Sequence, residues 1–189
     1  MADFTEIQQR LLAQNRLDLF GKVGEDMGLY VRKALMWKSV DGAPDLTIHI
    51  SSNGGSVSWG LDIYDALMFY PGKKRAVVHG MAASMAAVLL QACEDRYATP
   101  HAKVLIHHIS SSNISLDTLR KKESLAKFQR DMESDQERIY AILAGRSKQT
   151  RDEIMKKCEI DVPMSADEAL KFGLIDRIIA KISDLEEKK

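Results

Sequence analysis

Cysteine is scarce in this sequence: Cys93 and Cys158 are the two in a chain of 189 residues, and they lie far apart. They form no C-x-x-C pair and no metal-ligand spacing, which excludes a disulfide scaffold and a zinc module. Both are expected to be plain reduced thiols. An excess of charge of one sign is also missing, since 27 Lys and Arg balance 27 Asp and Glu. No bulk positive field therefore draws in nucleic acid or anionic lipid. Long apolar runs are absent too. The longest, Met81 to Leu90, is interrupted by Ser84 and is too short to span a bilayer. The first ten residues carry Asp3 and Glu6 and do not read as a signal peptide. A cytosolic (cytoplasmic) protein is expected, with neither nucleic acid nor membrane as partner. There is no internal repeat, low-complexity tract or linker. The length suits one domain, residues 1–189, around a single core.

What is present alternates between two periods. Leu17 to Phe20 reads as a strand. Met27, Tyr30, Ala34 and Leu35 recur at helical spacing and predict a helix over Glu25 to Trp37. Leu46, Ile48 and Ile50 alternate as in a strand, followed by Asn53-Gly54-Gly55, a turn signal. Val57, Leu61, Tyr64 and Met68 predict a helix that stops before Pro71. Arg75 to His79 is a short strand, and Ser84 to Ala92, apolar all round, a buried helix. Strands follow over Asp95 to Ala98 and Lys103 to His107, then a polar loop over Ser110 to Ser115. Leu116 to Ala144 has neither Pro nor Gly, and Leu125, Phe128, Met132, Ile139 and Ile142 line a seam along it. As one helix it would reach about 43 Å, long enough to project and pack on another copy; the alternative is two helices with a break. Ser165-x-x-Glu168 is a capping box opening a short helix that Gly173 ends. Leu174 to Ile179 is the last strand, and Asp184 to Lys189 a charged tail expected to fray. Strands alternating with helices through short loops mean an α/β fold.

Three features carry candidate chemistry. Asn53-Gly54-Gly55-Ser56 joins a strand to a helix, and its N–H groups can hold an oxyanion or a phosphate; it can equally be a turn with Asn53 as N-cap. In Gly80-Met81-Ala82-Ala83-Ser84-Met85 a hydroxyl opens an apolar helix, either as its cap or as a nucleophile. The small residues around it would admit a substrate, and the Met85 N–H would point toward the same oxygen position as Gly55. His107-His108 ends a strand. A nucleophilic serine needs a base and a group that orients the base, and side-chain alternation lets only one of the two imidazoles face the site. By itself, a histidine at a strand end is more often structural than catalytic.

These segments resemble one family. Ser52-Asn53-Gly54-Gly55-Ser56-Val57, with Gly60 and Ile63-Tyr64-Asp65, is similar to the Ser-Pro-Gly-Gly-Ser-Val segment of the Clp protease proteolytic subunit. Gly80 to Met85 resembles that family's nucleophile segment and Val104-Leu105-Ile106-His107 its catalytic-histidine strand. Asp161-Val162-Pro163-Met164-Ser165-Ala166, followed by Glu168-Ala169 and Phe172 to Asp176, resembles its catalytic-aspartate segment. Four motifs in order, from about Leu11 to Ile179, make a specific signal. The resemblance implies a fold of the Clp protease/crotonase type with a long handle helix. It implies a serine endopeptidase with Ser84 as nucleophile, His107 as base, Asp161 orienting the base, and Gly55 and Met85 N–H groups as oxyanion hole. No cofactor and no metal are implied. The implied assembly is two stacked heptameric rings, a tetradecamer, whose chamber admits short peptides or unfolded proteins delivered by an AAA+ unfoldase ATPase.

The pattern has departures. Thr47 and His49 stand where the family's ATPase docking pocket has aromatic residues, whereas Phe69 keeps the pattern, so the docking of an unfoldase is the point at which this chain differs. The resemblance begins almost at Met1, and the segment that lines the axial pore in the family is expected to be largely missing. His108 replaces a common Gln, Ile109 a common Pro, and Pro163 is unusual. An ATPase-independent peptidase such as a viral capsid-maturation protease, a non-catalytic structural ring subunit, and a crotonase-like acyl-thioester enzyme are the other readings.

Overall fold

The protein is described by a computed structural model covering residues 4–111 and 114–185. It is α/β, as expected. In chain order the elements are α1 (Glu6–Ala13), β1 (Arg16–Val23), α2 (Glu25–Val40), β2 (Leu46–Gly55), α3 (Val57–Phe69), β3 (Lys74–Ala83), α4 (Met85–Leu90), β4 (Asp95–Ala98), β5 (Lys103–Leu105), α5 (Leu116–Arg120), α6 (Lys122–Arg146), α7 (Arg151–Ile160), β6 (Met164–Ser165), α8 (Ala166–Phe172) and β7 (Arg177–Ile178). The sheet runs β1-β2-β3-β4-β7, with every pair along that path parallel. Strand β5 branches off, pairing in parallel with the far end of β3 and antiparallel with β6.

The strands are apolar where the sheet is covered on both faces. Ala76, Val77 and Val78 of β3 are consecutive and all buried, as a central parallel strand requires. Helices α1 and α2 pack on β1, and α4 packs on β2 and α3. All six residues of α4 are buried, which explains its lack of any polar face; filling such a site with a full aliphatic side chain is worth roughly 1.5–3 kcal/mol.

Strand β3 serves two neighbours in succession. Arg75 to Val78 pair with β4, and Met81 to Ala83 pair with β5. Gly80, at φ +67°, lies between the two stretches, where the strand changes partner. This switch carries the chain away from the regular sheet and delivers Ser84 beside β5.

Several boundaries differ from the sequence expectations. The two glycines expected to form a turn extend β2 instead: Gly54 and Gly55 pair with Lys22 and Val23 of β1, and Ser56, not Asn53, caps α3. Strand β5 stops at Leu105 rather than His107, two residues beyond the end of its partner β3 in register. The segment Leu116 to Ala144 is two helices, because Lys121 is extended at φ −96°, ψ 110°. The second of them, α6, still has 25 residues, about 38 Å. Its buried residues, Ile139, Tyr140 and Leu143, are all in the C-terminal half, so the half carrying Leu125, Phe128 and Met132 is not part of the core. The last strand is two residues long. Ile182 to Leu185 form a 3-10 turn in which the Asp184 carboxylate accepts the N–H groups of Ala180 and Lys181 at 2.8 and 3.0 Å; the tail beyond lies outside the described residues. So do positions 112 and 113 of the expected polar loop. The capping box of α8 and its Gly173 end are as expected.

Candidate active site

Ser84 sits at the junction of β3 and α4 in a conformation that side-chain-bearing residues seldom adopt, φ +56° and ψ −126°. Such a backbone costs roughly 1–3 kcal/mol and persists only where the surroundings hold it. Here they do. The Ser84 N–H donates to the Leu105 carbonyl at 2.9 Å, and its carbonyl accepts from Ala87 at 2.9 Å. The hydroxyl makes no capping bond to α4, so the helix-cap reading of this serine is not what the structure shows. The sharp turn leaves the side chain facing a small cavity.

That cavity, about 60 Å³, is lined by Ser84, Met85, Gly55 and His107, with Val88, Ile106, Ile139 and Leu143 as an apolar surround. Four of the five sequence-predicted site residues thus meet at one place. The end of β2 lies directly on the serine turn. A Cβ on Gly54 would stand 2.7 Å from both the Ala83 carbonyl oxygen and Ser84 Cβ, and 3.0 Å from the Met85 nitrogen. One on Gly55 would overlap the Val23 carbonyl. The glycine pair is therefore needed for close approach. Met85 opens α4, and the first N–H groups of a helix have no partner within it.

Asp161 is not brought to the cavity. It is the exposed C-cap of α7, in the left-handed region at φ +49°. Among the described residues no hydrogen bond joins it to His107. Its nearest electrostatic consequence is on Cys158, whose thiol is pushed up to about 12, first by burial and then by the Asp161 charge. Burial likewise pushes Cys93 up to about 12. Both thiols stay protonated, and neither is a competing nucleophile.

The two adjacent histidines part company. His107 lines the cavity; the Nδ1 of His108 is bonded to the Tyr140 hydroxyl of α6 at 2.8 Å. Next along the chain, the Ile109 N–H donates to Gln136 Oε1 at 2.6 Å. Sequence reasoning missed Gln136, Tyr140 and the wall residue Leu143. Their spacing of three and four on α6 was the available signal, since it puts them on one helix face.

Residues 2–182 match the Clp protease family. The chain belongs to that family. It is also 32% identical to the ATP-dependent Clp protease proteolytic subunit of Bacteroides thetaiotaomicron, over 93% of this chain and 84% of that protein. Family membership bears out the fold class and the expected function, a serine peptidase serving as the proteolytic subunit of a Clp-type protease. No helix among the described residues is long and apolar enough to cross a membrane.

A second histidine pair lies away from this cavity. His49 Nδ1 and His79 Nε2 are 2.6 Å apart, with the rings stacked. Burial, then the Arg16 charge and His79, lower His49 to about 4. The pair forms the floor of a separate pocket with Arg16, Phe20 and Val77. No cluster of three or more His, Cys, Asp or Glu residues suited to a metal occurs among the described residues.

Proposed function

We propose that this cavity is the peptidase centre, with Ser84 as nucleophile, His107 as general base, Asp161 as the group that orients the imidazole, and the Gly55 and Met85 N–H groups as oxyanion hole. Ser84 Oγ attacks the scissile carbonyl while its proton passes to His107. The carbonyl oxygen, now negative, is held by the two N–H groups. The C–N bond then breaks, the amine leaves with the proton from His107, and water activated by the same imidazole hydrolyses the acyl-serine. The observation that carries the reading is the uncapped, backbone-strained Ser84 sharing a cavity with His107, Met85 and Gly55.

The place of Asp161 finds support in strand register. In the antiparallel pair β5–β6, Lys103 faces Ser165 and Val104 faces Met164. Continued by three residues, the same register sets Leu105 opposite Pro163, Ile106 opposite Val162 and His107 opposite Asp161. Antiparallel partners directly opposite each other share a face, so this register would put the carboxylate and the imidazole on the same side of the pair.

The assembly proposed is the one that the family resemblance implies, a closed homo-oligomer of two stacked heptameric rings in the cytoplasm. Met36, Val40 and Phe69 are 71%, 91% and 93% exposed around a groove of about 680 Å³ between α2 and α3, an apolar patch that a partner would cover, and Phe69 is the position that keeps the family's docking-pocket pattern. The N-terminal half of α6 is the corresponding contact between rings. The substrate is a short peptide or unfolded chain, with an AAA+ unfoldase as delivering partner. Thr47 and His49 depart from the family's docking-pocket pattern, and capture of an AAA+ unfoldase by the purified protein tests that partnership.

The direct test of the site is a fluorophosphonate probe. It labels Ser84 and fails on Ser84→Ala, which loses peptidase activity by several orders of magnitude. Labelling of a different serine with Ser84 untouched overturns the assignment.

A further inference from the structure

The hydrogen bonds that α6 makes to the chain just after His107 have no role in the mechanism above. His107 lies beyond the end of β5, so no sheet ladder fixes it. The next two residues are instead held by side chains of α6, one turn apart. Tyr140 Oη bonds His108 Nδ1 at 2.8 Å, and Gln136 Oε1 accepts the Ile109 N–H at 2.6 Å. Tyr140 is itself buried and held from α7, whose Arg151 guanidinium lies 5.2 Å above its ring centre while pairing with Glu137. Gln136 has a further peculiarity: its Nε2 is buried with no hydrogen-bond partner. An unpaired buried donor costs stability, and the bond that Oε1 accepts from the Ile109 N–H is the one hydrogen bond of this side chain among the described residues.

Resting on the reading of Ser84 and His107 as nucleophile and base, we propose that Gln136 and Tyr140 are positioning residues. They form a two-point clamp on His108 and Ile109 that holds the His107 imidazole in the serine cavity. The same helix continues one turn further to Leu143, a wall of that cavity. The base is thus located by the handle helix rather than by the sheet that locates the nucleophile. His108 is the handle's grip on the catalytic segment, which gives the second imidazole a task of its own.

The test uses the full-length protein and a short fluorogenic peptide, with kcat and KM resolved and the rate of fluorophosphonate labelling measured alongside. Tyr140→Phe is expected to lower kcat roughly 3–10-fold with KM unchanged, the loss of one hydrogen bond. Gln136→Met lowers kcat at least as much, whereas Gln136→Glu, which keeps an acceptor for the Ile109 N–H, retains most of it. The double variant His108→Ala with Tyr140→Phe is no slower than His108→Ala alone, because both changes remove the same contact. Thermal midpoint and elution volume establish that each variant is folded and assembled. Additive losses in the double variant, a change confined to KM, or wild-type kcat in both Tyr140→Phe and Gln136→Met overturn the clamp. Ser84→Ala and His107→Ala run beside them separate the two claims. If those are inactive while the clamp variants are normal, the clamp alone fails. If those are active, the assignment of the site fails and the clamp with it.

Discussion

Gly54 and Gly21 offer a matched pair of substitutions that separates backbone strain from close approach. Both have nearly the same φ, +86° and +87°. A Cβ at Gly21 would meet nothing within 4 Å, whereas one at Gly54 would stand 2.7 Å from Ser84 Cβ and the Ala83 oxygen and 3.0 Å from the Met85 nitrogen. Placing alanine in the left-handed region costs roughly 1–2 kcal/mol in either case. For a chain of this length that lowers the thermal midpoint by roughly 2–8 °C. Gly54→Ala adds an overlap with backbone atoms that cannot swing away. Ordinary contact for a Cβ begins at about 3.4 Å, so the Ser84–Met85 turn must retreat by roughly 0.5–1 Å. A shift of that size in a reacting group costs on the order of 10²-fold in rate.

Gly21→Ala is therefore expected to lose a few degrees of thermal stability and little peptidase activity. Gly54→Ala should show a larger thermal loss, with labelling of Ser84 by a fluorophosphonate and turnover of a short peptide both falling on the order of 100-fold. Differential scanning fluorimetry and a single-turnover labelling assay on the two purified proteins suffice. Equal losses of activity in the two variants would refute the reasoning, since the close packing of β2 on the serine turn would then have no part in the site.

His107→Ala should cost roughly 10³-fold or more in turnover, and His108→Ala no more than about tenfold; the reverse order in a peptide assay would mean that the site uses the other imidazole. Replacing Phe128 and Met132 with glutamate should split the assembly into single rings or smaller species that have lost activity, and light scattering at micromolar concentration reads the result. His49 is held down at about 4 in the folded protein, against about 6.5 for an unfolded imidazole. The unfolded chain therefore binds the extra proton first, and the stabilisation present above pH 6.5 is lost as pH falls toward 4. Discounted for the open pocket beside it, this amounts to roughly 1–2 kcal/mol, and a thermal midpoint that falls no less steeply with acid in His49→Gln would count against it.

The sequence makes the site legible where chemistry is encoded in residue type, and obscures it where geometry depends on partners. The α8 capping box, Ser165 with Glu168, is visible as a pattern and forms as written. The same box occurs at Thr150 and Glu153 before α7, and at Thr5 and Gln8 before α1, so both helices have a local signal that hydrophobic spacing alone does not reveal. Gly54-Gly55 reads as a turn because glycine is the ordinary turn residue. It is strand because β1 lies alongside and takes the pairing. The break at Lys121 has no Pro or Gly to announce it. His107 and His108 differ only through tertiary contacts, one with the serine cavity and one with Tyr140. Asp161 is paired with His107 in the sequence through the family's motifs alone, and the structure leaves it exposed at the end of α7, with the register of a two-residue strand pointing toward His107.

The proposed site lies along a fault that runs across the sheet. Strand β1 shifts register between Phe20 and Lys22, β2 between Ile50 and Ser52, and β3 changes partner around Gly80. On one side of this line the strands are regular, and β2 and β3 bury three consecutive residues each, a stretch that only stabilises. On the other side lie Gly54, Gly55 and Ser84, with His107 just past the end of β5. Irregular pairing bends and twists strands and re-aims the side chains that follow. It also leaves the chain free to adopt backbones such as that of Ser84, which a continuous ladder would forbid. A regular sheet would satisfy every backbone group and leave none for a reacting oxygen. The fault removes that completeness at one level of the sheet only, while the buried strands behind it keep the displaced segments from relaxing. Strain at Ser84 and order in the core are thus two sides of one arrangement: the serine turn is held by the Leu105 carbonyl and by Gly54 packed against it, and Gly54 is anchored in β2, whose residues Ile48, His49 and Ile50 are buried.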